Sequence, residues 1–311
     1  MDATRKRHLA TAKGFAAIIL WSTAVAIARS LTESLGAVTA SAAVHSIAGF
    51  ASLMEILLRS RMRKQIRQLS AQYIFVCGFL FVSYMLLFFL AVGLAVNHEQ
   101  TLEVGLLNYL WPALTILLSL VLLGKKASWI LIPGTLLALS GVFLVLSQGA
   151  NVSWQSFANN FSGNPQAYSL AILAAVSWAL YSTLTNKFAG EQNTGGVVIF
   201  LPVTAIVLIL ICCFVDEPRQ WNSQAMIEAV FLGISTYLAY GLWDSAMRQG
   251  NVVLVAAASY LTPLFSIIAT SFYLIVTPGW NLWLGCAVLI PGSVLSWLSV
   301  SDNTHEPTVD V

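Results

Sequence analysis

Two short runs of the chain echo each other, NYLWPALTILL at 108–118 and SYLTPLFSIIA at 259–269. In each, a proline stands four residues after a polar residue: Pro112 after Asn108, and Pro263 after Ser259. Proline has no N–H, so inside a helix it leaves the carbonyl four residues back without its partner. In hydrocarbon such a carbonyl is costly unless something binds it. Asn108 and Ser259 bring polar side chains to the same two points. The chemistry this permits is recognition rather than bond making. A broken helix presents polar backbone that can hold the polar end of a small molecule. A kink that serves packing alone, its carbonyl bonded by a neighbouring helix, is the competing reading, and the repetition in register favours the site.

Flat ring faces accompany the polar points. Tryptophan commonly sits at the membrane interface, yet Trp21, Trp111 and Trp178 fall near the middles of apolar runs. An indole N–H at that depth needs an acceptor. Tyr84, Tyr109 and Tyr260, with Tyr181, Tyr237, Tyr240 and Trp243, can add rings and hydroxyls. Such a lining suits an apolar or aromatic ligand with one polar end. Taken singly, each ring has an ordinary use in packing. His45 lies deep in VTASAAVHSIAG, among small residues. It could bond substrate or relay a proton, or stand neutral against a neighbouring helix.

Chemistry of other kinds lacks its residues. The chain has no GxxxxGK[ST], HExxH or GxSxG motif, so ATP-driven, zinc-protease and common hydrolase sites are not expected. Cys77, Cys212, Cys213 and Cys286 lie in apolar runs without a CxxC pair, which argues against a disulfide framework or a zinc site. The expectation is no catalytic residue, no metal and no cofactor.

The elements that must carry these residues follow from composition. Of 311 residues, 58% are hydrophobic and 9% charged, against about 25% charged in soluble proteins. About 20 apolar residues make a membrane-crossing helix. Ten runs qualify, near 14–31, 37–58, 73–95, 102–123, 129–147, 167–187, 197–215, 224–246, 252–275 and 281–299. The fold class is an all-α integral membrane protein of ten transmembrane helices.

Those helices read as two five-helix repeats. At the offset that superposes the opening runs, Trp129 falls on Trp280, Gly134 on Gly285 and Gly141 on Gly292. Gly134, Gly141, Gly285 and Gly292 mark expected close helix contacts. The first repeat covers 1–150, a polar extracytoplasmic linker 151–165, with a short surface helix near Trp154 to Phe161, and the second repeat 166–311. An odd number of spans inverts the second repeat. Lys and Arg mark the cytoplasmic side. With both termini inside, every Lys and Arg except Arg29 and Arg219 falls on that side. The tails, 1–8 and 301–311, read as unstructured.

Ten spans in two inverted sets of five, with prolines in the fourth and ninth, resemble the drug/metabolite transporter superfamily in its EamA-like branch. LWST (20–23), FVSY (81–84), EVGLLNYLWP (103–112), SWALYSTLTNK (177–187) and GNVVLVAAASYLTP (250–263) are similar to aromatic amino acid exporters of bacterial inner membranes. The resemblance implies export of aromatic amino acids and related hydrophobic metabolites by alternating access around a central cavity. The alternative is a broader drug, metabolite or general amino acid exporter. It implies a cavity lined by Trp21, His45, Tyr84, Asn108, Tyr109, Trp111 and Trp178, to which the repeat adds Ser259 and Tyr260. Thr262 stands where the first repeat has Trp111, so the lining need not be symmetric. The partners expected are a small-molecule substrate and membrane lipid. Nucleic acid is not expected, and no oligomer is required.

Overall fold

The computed structural model describes residues 3–147, 154–190, 194–274 and 280–301. Helices run in the order α1 (Ala3–Leu35), α2 (Ala37–Leu58), α3 (Ser60–Ile66), a π-helical turn (Tyr73–Cys77) leading into α4 (Gly78–Gly93), α5 (His98–Asn108), α6 (Trp111–Leu122) and α7 (Leu131–Leu146). After the linker come α8 (Trp154–Gly163), α9 (Pro165–Phe188), α10 (Val197–Cys212), α11 (Ser223–Gln249), α12 (Val252–Ala258), a 3₁₀ turn (Ser259–Leu261), α13 (Thr262–Leu274) and α14 (Trp280–Leu298). One two-stranded ribbon pairs β1 (Lys126–Ala127) antiparallel to β2 (Val300–Ser301), with Lys126 opposite Ser301.

Seven helical stretches among the described residues are long and apolar enough to cross a membrane: Thr4–Val25, Ala37–Leu58, Tyr73–Gly93, Glu99–Leu122, Pro165–Phe188, Ser223–Gln249 and Val252–Ala269. Leu131–Leu146, Val197–Cys212 and Leu282–Leu298 are apolar but shorter. Large apolar side chains such as Phe50, Phe75, Phe79, Val121, Ile132 and Phe214 face outward. So much exposed hydrocarbon belongs against lipid rather than water.

Local signals set where the helices start. Asn97, Asn164, Asn222 and Asn251 each accept the N–H three residues on, at 2.8, 3.4, 2.8 and 3.1 Å, and so cap α5, α9, α11 and α12. The first turn of α2 is capped from afar. Glu217 accepts the N–H groups of Val38 and Thr39 at 2.9 and 2.7 Å, placing a carboxylate on the positive helix end. Gly36, with φ 87°, makes room for it, because a Cβ there would lie 2.4 Å from Glu217.

The main packing partners are α7 with α14, α1 with α11, α2 with α10, and α4 with α9; α6 also packs on α9, and α13 on α1. The small residues expected at close contacts are at one. A Cβ on Gly141 would lie 2.4 Å from Leu289, and one on Gly292 would lie 2.3 Å from the Ala138 backbone. The tails differ from expectation. Residues from Ala3 already belong to α1, and Ser301 is tied down by β1; 302–311 lie outside the described residues. The first turns of α1 extend the spanning helix at no cost in burial, since residues 4–9 are exposed.

Candidate binding cavity

The fourth and ninth hydrophobic runs both break at their prolines, in different ways. In the fourth, α5 stops at Asn108, Tyr109 and Leu110 turn, and α6 restarts at Trp111 with Pro112 in its first turn. Proline is favoured there because the missing N–H has no helical duty. In the ninth, the chain tightens into a 3₁₀ turn over Ser259–Leu261, and the Thr262 N–H donates to the Ser259 carbonyl. The carbonyl that Pro263 was expected to expose is therefore satisfied by an i+3 bond. The polar opening at the breaks belongs to the first half of the chain.

The breaks and the rings meet around one cavity of about 220 Å³. Trp21, Tyr84, Asn108, Tyr109, Trp111 and Trp178 line it, together with Val25, Phe88, Gly105, Tyr240 and Thr262. Trp178 is the hub. Its ring centroid lies 4.6 Å from that of Tyr84, 6.0 Å from Trp21, 6.3 Å from Trp111 and 5.9 Å from Trp243. Trp21 and Trp178 meet edge to face at 70°. Such pairs hold their geometry, contributing about 0.5–1.5 kcal/mol each beyond area burial.

Two polar atoms in this wall are buried without a hydrogen-bond partner: the Trp178 indole Nε1–H, a donor, and Asn108 Oδ1, an acceptor. A buried polar group left unsatisfied costs about 1–3 kcal/mol. Trp243, just behind the wall, shows the contrast, since its Nε1–H donates to Ser182 Oγ at 3.3 Å. The cavity thus has flat apolar faces suited to the ring of a small molecule, and its wall contains one donor and one acceptor that no protein group uses, both buried beneath its surface. It holds no nucleophile and base, and the described residues contain no group of three or more His, Cys, Asp or Glu able to bind a metal ion.

Three residues singled out in the sequence lie elsewhere. His45, on α2, packs against α4. Its Nδ1–H donates to the Ser41 carbonyl at 2.9 Å, its ring meets Phe89 edge on at 5.9 Å, and its Nε2 is buried without a partner. Ser259 donates to the Val255 carbonyl at 2.8 Å, and Tyr260 is fully buried in the cluster around α7 and α14. Val25, Phe88 and Gly105 escaped the sequence reading. Each stands one helical turn from a residue that was chosen (Trp21, Tyr84 and Tyr109), so a strict i, i+4 projection would have found them.

Behind the cavity, toward the end of the bundle that carries Arg59, Arg61 and Arg248, lies a buried ionic cluster. Asp244 accepts from Arg248 Nε at 2.7 Å, from Tyr181 at 3.3 Å and from the Tyr73 hydroxyl. Tyr73 in turn accepts the Gly196 N–H at 2.9 Å. This joins the helices α9 and α11, the π-helical turn and the start of α10. A Cβ on Gly195 would lie 1.6 Å from Asp244 Oδ2, so only glycine lets that backbone close on the carboxylate. Asp244 and Arg248, spaced i, i+4 on α11, have side chains 2% and 3% exposed, so the pair is a core element.

Comparison with known proteins agrees with the geometry. The EamA-like transporter family matches residues 9–147 and 165–298. The chain is 35% identical over 294 residues to the aromatic amino acid exporter YddG of Escherichia coli strain K12, covering 94% of this chain and 98% of that one. It is 35% identical over 291 residues to the protein of the same name from Salmonella typhimurium (93% and 97% covered). It is 31% identical over 294 residues to that of Ancylobacter novellus (94% and 98% covered). A solved crystal structure superposes with a TM-score of 0.77 at 28% identity, covering 93% of this chain and 97% of the other.

Proposed function

Since the chain belongs to the EamA-like transporter family, we propose that it is a secondary transporter that exports aromatic amino acids by alternating access. The observation that carries this reading is the pair of unused polar atoms in a ring-lined cavity. Side-chain rotation on binding bares both atoms: a substrate carboxylate then accepts from Trp178 Nε1–H, its ammonium donates to Asn108 Oδ1, and its side chain lies among Trp21, Tyr84, Trp111 and Tyr240. The volume supports a small solute over a drug. Drug-sized ligands occupy pockets of about 300–1,000 Å³, and this cavity is about 220 Å³. The names of the relatives point to the same substrate class.

Ten spans in two inverted halves explain the packing. When the halves are exchanged, α1 with α11 becomes α9 with α4, and α1 with α13 becomes α9 with α6. The α2–α10 and α7–α14 pairs become themselves, and all of these are observed partners. The two family matches fall one in each half. The excess of Lys and Arg at one end supports a cytoplasmic position for that end and for both termini, in a bacterial inner membrane. In this conformation Phe81, Tyr181 and Trp243 pack behind the cavity on the basic side, backed by the Asp244 cluster. Export then requires these rings and the Asp244 contacts to part on one side and re-form after release. Membrane lipid surrounds the apolar faces, and a monomer suffices for the path. With no bond made or broken in the cycle, the protein is not an enzyme.

The test is flux of labelled tryptophan, phenylalanine, alanine and threonine in liposomes holding the purified protein, with and without a proton gradient. Saturable tryptophan and phenylalanine flux, competed by each other and exceeding that of alanine and threonine, is expected. Equal flux of all four, or none above empty liposomes with folded protein, would overturn the reading.

A further inference from the structure

A second cavity of about 660 Å³ lies at the basic end of the bundle, and its wall includes Lys13, Glu55, Arg59, Arg61, Asp244 and Arg248. It adjoins the ring-lined cavity along α11, where Tyr240 lines one and Gly241 the other. Its carboxylates are already engaged. Glu55 accepts from Arg59 Nη1 at 2.6 Å and from the Tyr237 hydroxyl. Asp244 is held by Arg248, Tyr181 and Tyr73. Four cations against two carboxylates leave a surplus of positive charge on this wall, carried by Lys13 and Arg61.

Lys13 is the telling residue. It stands at the basic mouth of the first span, half-buried where its neighbours Arg5, Lys6 and Arg7 are exposed. Its ammonium meets a hydroxyl rather than an acid, Ser245 Oγ at 3.1 Å. Ser245 is on α11 beside Asp244, so Lys13 is aimed at the vestibule wall that carries the Asp244 cluster. An anionic group entering here meets Lys13 and Arg61, and Glu55, the more exposed of the two carboxylates, lies in the same wall for an ammonium beside it.

We propose that this vestibule is a docking station for the zwitterionic head of the substrate. In it Lys13, assisted by Arg61, holds the carboxylate before the Asp244 cluster parts. The proposal rests on the transport reading above but concerns a different cavity, so the two can fail separately. The headgroup of an anionic lipid offers similar chemistry, and the test separates the two sources.

Tryptophan flux is measured in liposomes from each face of the membrane in turn. Lys13→Gln is expected to raise KM about tenfold, the loss of roughly one charged hydrogen bond, for flux that starts at the basic face. KM from the opposite face stays unchanged, and Lys13→Arg restores the wild-type value. Arg61→Gln, an exposed position that does not threaten the fold, shifts KM in the same direction and on the same face. An unchanged KM at the basic face, or an equal rise at both faces, overturns the proposal. A second measurement does not need transport. Ser60→Cys, on the vestibule wall, is labelled with an anionic thiol reagent in a full-length chain whose four native cysteines are replaced. Tryptophan is expected to slow labelling, tryptamine, which lacks the carboxylate, is not, and Lys13→Gln removes the protection. Protection without flux would sink the transport reading and keep the docking site; flux with protection indifferent to Lys13→Gln would do the reverse. If vesicles of phosphatidylglycerol block labelling without any amino acid, while phosphatidylcholine does not, the site belongs to lipid and the proposal falls.

Discussion

Replacing Trp178 by phenylalanine separates the two duties assigned to its indole. The side chain is 1% exposed and touches the rings of Trp21, Tyr84, Trp111 and Trp243. Alanine would remove all of that packing, costing about 3–5 kcal/mol, and any loss of flux would then be ambiguous. Phenylalanine keeps a ring in the hub and deletes the Nε1–H, which has no partner in the protein. Removing an unsatisfied buried donor relieves about 1–3 kcal/mol, while the smaller ring leaves a void that costs a similar amount. Stability therefore stays within about 2 kcal/mol of wild type. Binding of the substrate carboxylate behaves differently. A hydrogen bond to a charged group contributes about 1.5–3 kcal/mol, so KM for tryptophan rises roughly 10- to 150-fold. The assay pairs liposome flux with thermal unfolding in the same detergent, and uses inhibition by tryptamine as the internal control. Tryptamine lacks the carboxylate, so its inhibition constant should not move. A normal KM in Trp178→Phe, or equal weakening of tryptophan and tryptamine, would refute the assignment of the indole N–H to the carboxylate.

The remaining expectations concern the frame around the site. Asp244→Asn leaves Arg248 without its buried carboxylate and should cost about 3–5 kcal/mol in unfolding free energy; Asp244→Asn with Arg248→Gln should recover a good share of it, and a double variant no better than the single one would contradict the pairing. Gly141→Ala drives a methyl into the backbone of Leu289, and the overpacking cost of about 1–3 kcal/mol should outweigh the roughly 1 kcal/mol gained in helix propensity. Gly93→Ala, where nothing lies within 4 Å, should be neutral or stabilising in the same melt. Pro112→Ala allows α5 and α6 to join into one helix by restoring the N–H that Asn108 lacks; slower flux with unchanged expression is expected, and wild-type flux would show that the break is dispensable.

Much of the site could be read along the chain because helical periodicity is local. The deep tryptophans Trp21, Trp111 and Trp178 and the polar Asn108 before Pro112 stand out by type and depth, and they do line one cavity. His45 stood out by the same criterion and lies outside that cavity, because depth in the membrane says nothing about which neighbour a helix face meets. Ser259 matched Asn108 in register, yet the 3₁₀ turn that satisfies its carbonyl depends on backbone torsions that no residue type announces. The vestibule was hidden for another reason. Lys13, Arg59 and Arg61 look like ordinary basic flanks until α1 and α11 are laid side by side.

By itself, then, the chain determined that it is a helical membrane protein, which stretches of it are apolar, and that its two halves share a pattern. Each of these depends on short-range terms: transfer of about 20 residues into hydrocarbon, Asn caps, prolines without N–H. Only the tertiary structure decided that Trp178 Nε1–H and Asn108 Oδ1 are left over in one wall, that Asp244 is sealed in the core, and that Lys13 points at Ser245. Those facts depend on contacts between residues far apart in sequence. Such contacts are set by how ridges and small residues let particular helices approach, and the period of a single helix does not encode them.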